Sequence, residues 1–292
     1  METNTLWDKY AEFSHEKPFD LSRHSTIGCG GVAEIAFCPR SVAELTALLQ
    51  TLEKDGLEYC VLGNMSNVLP PDEGLQKPVI RMKYLNGIMI TDGAFVYAGA
   101  TSGALLHALK RERKSGAEFL YGVPCTLGGA LFMNAGAAGK YINEIVESVF
   151  VYRNGETKVL SVKDCGYSYK KSVFMENRDV IIGASLKVSN ASDEGIALQE
   201  NYYAERRTHL PKGKSMGCVF KNPEGGFAGD LIERSGLKGL RVGGAVVSEQ
   251  HANFIINDRN ATAGDIKTLI SLIKNAVKTQ YGVMLKEEIR YL

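Results

Sequence analysis

Leu120-Tyr-Gly-Val-Pro-Cys-Thr-Leu-Gly-Gly-Ala-Leu-Phe-Met-Asn-Ala-Gly-Ala-Ala-Gly139 decides how the rest of this chain is read. Six of its 20 residues are glycine (Gly122, Gly128, Gly129, Gly136, Gly139) or proline (Pro124), and none carries a charge. A flexible linker of that glycine content would be rich in Ser, Glu or Lys. Glycines set among Val, Leu, Phe and Met instead indicate backbone that is buried and closely approached. The competing reading is a run of tight turns inside a core. A second patch of the same type lies at residues 61–68.

Working outward, Glu34-Ile-Ala-Phe37 is a predicted strand preceded by the glycine turn Ile27-Gly-Cys-Gly-Gly-Val-Ala33. A helix follows, with Ser41 and Glu44 as a capping box and Val42, Leu45, Leu48, Leu49 and Leu52 on one face. Gly56 ends it, and the strand Tyr59–Leu62 leads into the polar turn Gly63-Asn-Met-Ser-Asn67. The order is β-α-β with a polar loop at a strand's end, where α/β proteins place ligands. Strands are predicted at 79–82, 88–91 and 95–98, and a helix at 102–114. Beyond the glycine stretch, Asn154-Gly155 joins a hairpin of 146–153 with 157–162, and 180–188 closes a sheet. Residues 1–25 read as a polar, partly helical lead-in, and 190–212 turn polar and helical. The last hundred residues carry a separate α+β pattern. It comprises a helix at 231–235, strands at 245–248 and 253–257, a helix from Thr262 with its stripe through Val277, and a final strand at 283–291.

Composition narrows the function. A chain of 292 residues with 45% apolar and 23% charged residues builds one large or two ordinary domains. A net charge of +1, with no dense Lys/Arg run, gives no reason to expect a nucleic-acid partner. No apolar segment reaches membrane-spanning length, so no membrane partner is expected. Six cysteines stand singly with no CxxC pair, and five histidines show no HxxxH or HExxH spacing, so no metal site is expected. Isolated cysteines and an N-terminus (Met1-Glu-Thr-Asn-Thr-Leu-Trp7) without signal-peptide character imply a cytoplasmic location.

Amides in glycine-rich turns make concave anion sites, since several N–H groups reach one phosphate oxygen without interference from Cβ. The turns at 63–67 and 122–129 suit a clasped pyrophosphate, although neither matches GxGxxG or GxxxxGK[ST]. From the residues alone, the choice between a nucleotide-sized ligand and structural turns stays open.

Taken together, the motifs settle more. Thr26-Ile-Gly-Cys-Gly-Gly-Val-Ala33, Val61-Leu-Gly-Asn-Met-Ser-Asn-Val68, Gly122-Val-Pro-Cys-Thr-Leu-Gly-Gly-Ala130 and Met133-Asn-Ala-Gly-Ala137 occur in that order. They are followed by Tyr169-Lys-Lys-Ser-Val-Phe174, Gly217-Cys-Val-Phe-Lys-Asn-Pro223, Gly236-Leu-Lys-Gly239, His251-Ala-Asn-Phe-Ile-Ile-Asn257 and Leu285-Lys-Glu-Glu-Ile-Arg290. In this order and spacing, from about Ser25 to the C-terminus, the chain resembles the UDP-N-acetylenolpyruvoylglucosamine reductase (UDP-N-acetylmuramate dehydrogenase) family. The resemblance implies an α+β fold. A two-part FAD-binding region of the vanillyl-alcohol-oxidase (PCMH) type would cover 1–190, in subdomains of about 1–82 and 83–190. A smaller α+β substrate domain would cover 191–292, its final strand returning to the active site. Only 46 positions separate Ser172 from Cys218, which matches the shorter branch lacking a substrate-clamping insertion.

The resemblance further implies a cytoplasmic, monomeric enzyme of peptidoglycan synthesis with non-covalent FAD. NADPH would reduce the flavin, which would pass hydride to C3 of the enolpyruvyl group of a UDP-sugar. FAD would be held by Gly63, Asn64, Met65, Ser66, Asn67 and Val68, and by Gly122, Pro124, Cys125, Thr126, Gly128, Gly129, Asn134, Ala135 and Gly136. Met65 and Cys125 stand where the family has glycine, so each sets a side chain where backbone approaches the flavin. Either the loops shift or these residues adopt the needed dihedrals at a cost. The developing charge at C2 needs a cation or acid and a proton donor. By resemblance Cys218 replaces the family's serine donor, Lys170 stands at its arginine, with Lys171 the alternative in a shifted register, and Glu288 is its C-terminal glutamate. Alternation would put Glu288 on one strand face with Met284, Lys286 and Arg290. Lys221, Asn222 and His251 would address the substrate. Two other readings remain: a degenerate flavin- or nucleotide-binding relative, and a flavin oxidase acting on another substrate.

Overall fold

The structure is a computed structural model describing residues 6–292. It divides into two compact units, each built from separated stretches of chain. The first holds the residues up to Pro18, Glu34–Asn64 and Lys77–Glu205; the second holds Phe19–Ala33, Met65–Gln76 and Arg206–Leu292. These units cut the chain differently from the expected division at 190/191. The cause is long-range pairing that no contiguous reading captures: Arg290–Tyr291 lies parallel to Val68–Leu69, and Asn257 Nδ2 donates to Ile27 O at 2.9 Å.

In the first unit, Ala36–Phe37 and Cys60–Leu62 flank Val79–Arg81 in parallel, and His15–Glu16 adds an antiparallel edge. The Val42–Lys54 helix bridges the parallel strands and buries Leu45, Leu48, Leu49 and Leu52, the stripe predicted. Half of its capping box forms. Ser41 Oγ accepts from Glu44 N at 3.0 Å, while the Glu44 carboxylate turns to the amides of Arg40 (2.7 Å) and Ser14 (2.8 Å). The lead-in departs from its expected polar character: Trp7 and Tyr10 are buried, and Tyr10 packs on Phe37 with ring centroids 5.6 Å apart. Residues 1–5 of that lead-in lie outside the described residues.

A second sheet in this unit is antiparallel and five-stranded. Its order is Glu156–Ser161, Val146–Arg153, Val180–Leu186, Ala94–Tyr97, Ile88–Ile90. Asn154 and Gly155 turn its hairpin at φ +52° and +83°, the left-handed pair that a two-residue loop demands. The glycine stretch is neither a linker nor bare turns. Its middle is a helix, Leu127–Met133, capped by Thr126 and ended by Asn134 at φ +43°. Gly128 allows that helix to settle on the sheet, because a Cβ there would lie 3.0 Å from Ala98 Cβ and 3.2 Å from Ala98 O.

The second unit is organised by the Ala263–Tyr281 helix, which buries Ile266, Leu269, Ile270, Ile273 and Val277. It packs beside the antiparallel strands Arg241–Val242, Ala245–Val247 and Ile255–Asn257. Its start is fixed by the Thr262–Asp265 capping box and by Asp72, whose carboxylate accepts from the amides of Ala263 (2.8 Å) and Gly264 (3.0 Å). The final strand is shorter than expected, Arg290–Tyr291 alone, with an isolated bridge from Glu287 to Phe220. Leu285 and Ile289 are buried and Met284, Lys286 and Arg290 exposed, but Glu287 and Glu288 are both half-buried and Tyr291 is exposed, so the predicted alternation is only partial.

Candidate active site

The first unit brings Gly63 and Asn64, the part of the second patch that it holds, against the glycine stretch. Asn64 Nδ2 donates to Pro124 O at 3.1 Å, and a Cβ on Gly63 would collide with Thr126 Oγ1 at 2.3 Å. Only glycine allows that approach. The expected nest of amides is only partly available, however. The N–H groups of Val123, Cys125, Leu127 and Gly128 donate to carbonyls of the same unit, and Gly129 N donates to Thr126 Oγ1 at 3.3 Å. Among the described residues no hydrogen bond is made by the amides of Gly122 and Thr126, which leaves these two on the wall.

The wall is tied to a tight turn that displays Lys170. Ser168 and Lys171 exchange two backbone hydrogen bonds of 3.1 Å, and Lys170 between them has φ +52°. A non-glycine residue in this region of backbone space is strained by about 1–2 kcal/mol. The turn is held by Asn134 Nδ2 to Ser168 O (2.9 Å) and by Ser172 Oγ, fully buried, to Phe132 O (2.6 Å). Lys171 pairs with Glu176 at 2.7 Å on the surface.

In the second unit the segment carrying Cys218 lies between two others. On one side Cys218 bridges Phe254, and Val219 N donates to Asn253 O at 2.8 Å. On the other, Glu288 N donates to Val219 O and Lys221 N to Lys286 O, both at 2.8 Å. Cys218, Lys221, Asn222, His251 and Glu288 therefore converge on three adjacent backbone segments. The loop of Met65–Val68 joins them: Asn67 Nδ2 donates to Glu288 O at 3.1 Å, and Arg290 N donates to Asn67 O at 2.9 Å.

Asn253 is a residue to which sequence reasoning gave no role. Buried to 3% exposure, it accepts from Phe220 N (2.9 Å) and donates to Phe220 O (2.8 Å) through its carboxamide. Its position inside His251–Asn257 was a signal, but only tertiary pairing gives it work. Burial pushes the His251 imidazole below its ordinary pKa, so the ring is neutral at pH 7. Its Nδ1 accepts from Asn253 N at 3.2 Å, which places the ring proton on Nε2. The Asn222 carboxamide oxygen accepts from Ala228 N at 3.1 Å, closing a loop between them.

The two non-glycine substitutions in the flavin loops resolve differently. Met65 takes the left-handed conformation itself, at φ +50°, with its side chain buried at 5% exposure. Its carbonyl receives Thr26 N at 3.4 Å. Cys125 needs no such dihedral, and its thiol is packed in the core at 8% exposure. Neither side chain therefore obstructs a close approach of backbone to a flavin, and the residues present fit the cofactor.

The match of residues 33–161 to an FAD-binding family defines a flavin-binding protein. Residues 33–161 match the family described as "FAD binding domain", and residues 208–292 match "UDP-N-acetylenolpyruvoylglucosamine reductase, C-terminal domain". The chain is 38% identical over 280 residues to a UDP-N-acetylenolpyruvoylglucosamine reductase of Clostridioides difficile (strain 630), covering 93% of this chain and 91% of the relative. It is 36% identical over 290 residues to one of Shouchella clausii (strain KSM-K16), covering 97% and 93%. A crystal structure of UDP-N-acetylenolpyruvylglucosamine reductase from Thermus caldophilus superposes with a TM-score of 0.84 at 32% identity, covering 96% of this chain and 99% of that one. The chain belongs to the UDP-N-acetylenolpyruvoylglucosamine reductase family, with the α+β, PCMH-type FAD fold expected of it.

Proposed function

We propose that this chain reduces the enolpyruvyl group of UDP-N-acetylglucosamine enolpyruvate to give UDP-N-acetylmuramate, with non-covalent FAD and with NADPH as reductant, in peptidoglycan precursor synthesis. Family membership supports the reaction. The observation that carries it to this chain's residues is the hydrogen bond from Glu288 N to Val219 O at 2.8 Å, which sets the two candidate catalytic segments of the second unit side by side.

When bound, FAD supplies hydride transfer between NADPH and the substrate. The FAD-facing groups in this reading are Gly63–Val68, Gly122 with Pro124–Thr126, Gly128, Gly129 and Asn134–Gly136. The Cys218 thiol delivers the proton to C2; a thiol is a stronger acid than the alcohol that the family uses there. Lys170 sets a positive charge against the enolate, and Glu288 orients and polarises the same group. Lys221, Asn222 and the Nε2–H of His251 hold the substrate's phosphate and carboxylate oxygens. In this reading the protein acts as a monomer in the cytoplasm.

The test is anaerobic. NADPH is expected to bleach the visible spectrum of the purified protein, and the enolpyruvyl sugar nucleotide to restore it. A colourless protein unable to take up FAD would overturn the reading, as would a bleached one that only oxygen reoxidises. Cys218→Ala is expected to keep the flavin and lose turnover. Full activity in that variant would remove Cys218 from the mechanism.

A further inference from the structure

Phe227 is 63% exposed, more than any other aromatic side chain among the described residues. It occupies the N-cap of the Ala228–Arg234 helix, where a side chain that accepts a hydrogen bond is strongly preferred and phenylalanine provides none. Asn222 substitutes for the missing cap by accepting from Ala228 N at 3.1 Å. The N-cap position thus presents an exposed phenyl ring, while Asn222 supplies the capping acceptor from outside the helix.

The ring is displayed on an ordered scaffold. Gly226 N donates to Pro223 O at 3.3 Å across a turn with Gly225 at φ +75°, and Leu231 N donates to Phe227 O at 3.3 Å. No atom lies within 4 Å of a Cβ built on Gly225 or Gly226, so space is open above the turn. On its far side the loop abuts His251: a Cβ on Gly229 would be 3.2 Å from His251 Cε1. The loop therefore runs from Lys221 and Asn222 to the edge of His251, and four residues of extended chain span at most about 13 Å from Cys218 to Asn222. A sugar diphosphate with its enolpyruvyl group at Cys218 and its phosphates at Lys221 would have this loop within reach of its nucleobase.

We infer that Phe227 is the nucleobase platform of the substrate site, its phenyl face stacking on the pyrimidine of the UDP moiety. The inference rests on the substrate class proposed above and adds a subsite to it. Stacking of a base on an aromatic ring is sequence-tolerant and strong enough to be read by substitution.

The probe is UDP, titrated calorimetrically into the FAD-loaded protein. Phe227→Ala is expected to weaken UDP about tenfold, and Phe227→Trp to bind within about threefold of the parent, flavin content being unchanged in both. In stopped flow, Phe227→Ala is expected to raise the sugar-nucleotide concentration needed for flavin reoxidation by the same factor, leaving reduction by NADPH unaltered. Unchanged UDP affinity in Phe227→Ala, with parent turnover intact, overturns the platform alone. An equal rise for NADPH and substrate overturns its assignment to the pyrimidine. A parent protein that neither binds UDP nor turns over overturns the substrate class itself.

Discussion

The carboxamide nitrogen of Asn134 donates to the carbonyl oxygen of Ser168 at 2.9 Å, joining the end of the glycine-rich wall to the turn that carries Lys170. Asn134 can do this because it sits at φ +43° as the left-handed cap of the Leu127–Met133 helix, a conformation that asparagine tolerates better than other side chains. Its Oδ1 accepts from Asn143 N at 3.3 Å, so the same side chain also holds the helical turn Ile142–Glu144.

Lys170 stands at φ +52° where glycine would cost least, so a functional demand and a stability demand are opposed there. Lys170→Gly is expected to make urea unfolding of the protein more difficult by up to about 1 kcal/mol. On the role proposed for Lys170, the same variant is expected to lower turnover by at least about a hundredfold, because the charge set against the enolate is removed. Lys170→Arg keeps both the strain and the charge and is expected to remain active. Full turnover in Lys170→Gly would show that the turn has no part in the chemistry.

How much of this was legible follows from which interactions are local. The leucine stripe of Val42–Lys54, the Asn154-Gly155 hairpin and the apolar face of Ala263–Tyr281 are short-range patterns, and they stand where the sequence put them. The half-formed capping box at Ser41 was not legible, because Glu44 is drawn away by Ser14 N, 30 residues distant. Nor were the compact units, which depend on pairing Val68 with Arg290. The positions of Cys218 and Glu288 could be named by resemblance alone. That Asn253 braces the backbone between them depends on a bond spanning 33 residues, and no local pattern encodes it.

Met65 tests whether backbone or packing governs the first flavin loop. Glycine would relieve roughly 1 kcal/mol of left-handed strain. It would also remove a side chain buried at 5% exposure, which costs roughly 2–5 kcal/mol. Packing wins on these magnitudes, so Met65→Gly is expected to be less stable by about 2 kcal/mol in urea while still retaining FAD through gel filtration. A gain in stability would show instead that the strain at φ +50° is the larger quantity.

Asn253 pairs with both backbone polar groups of Phe220, and its replacement leaves a buried N–H and a buried C=O unpaired. Asn253→Ala is expected to cost roughly 2–4 kcal/mol. Because Cys218 lies two residues from the braced position, the sugar-nucleotide half-reaction should slow while flavin reduction by NADPH stays at the parent rate. Asn253→Asp keeps the acceptor and loses the donor, and should fall between the two. If both half-reactions slow equally, Asn253 serves the fold in general and not the placement of Cys218.

The C-terminal segment bearing Glu288 is pinned one residue earlier, and that pin is sensitive to pH. Burial alone would raise the Glu287 carboxyl, but hydrogen bonds from Lys274 Nζ (2.7 Å) and Tyr291 Oη (2.6 Å) outweigh it and hold the group below its ordinary value. Burial and the Glu287 carboxylate together push Tyr291 well above the usual phenol range, so it remains a neutral donor throughout the working range. A carboxyl depressed on folding stabilises above its unfolded pKa of about 4.3, and that stabilisation is lost as pH falls through the lower folded value. Glu287→Gln is therefore expected to be about 1 kcal/mol less stable than the parent at pH 7, with the two urea curves converging below about pH 4. A difference that persists undiminished at pH 3 would mean that Glu287 acts through its shape and not through its charge.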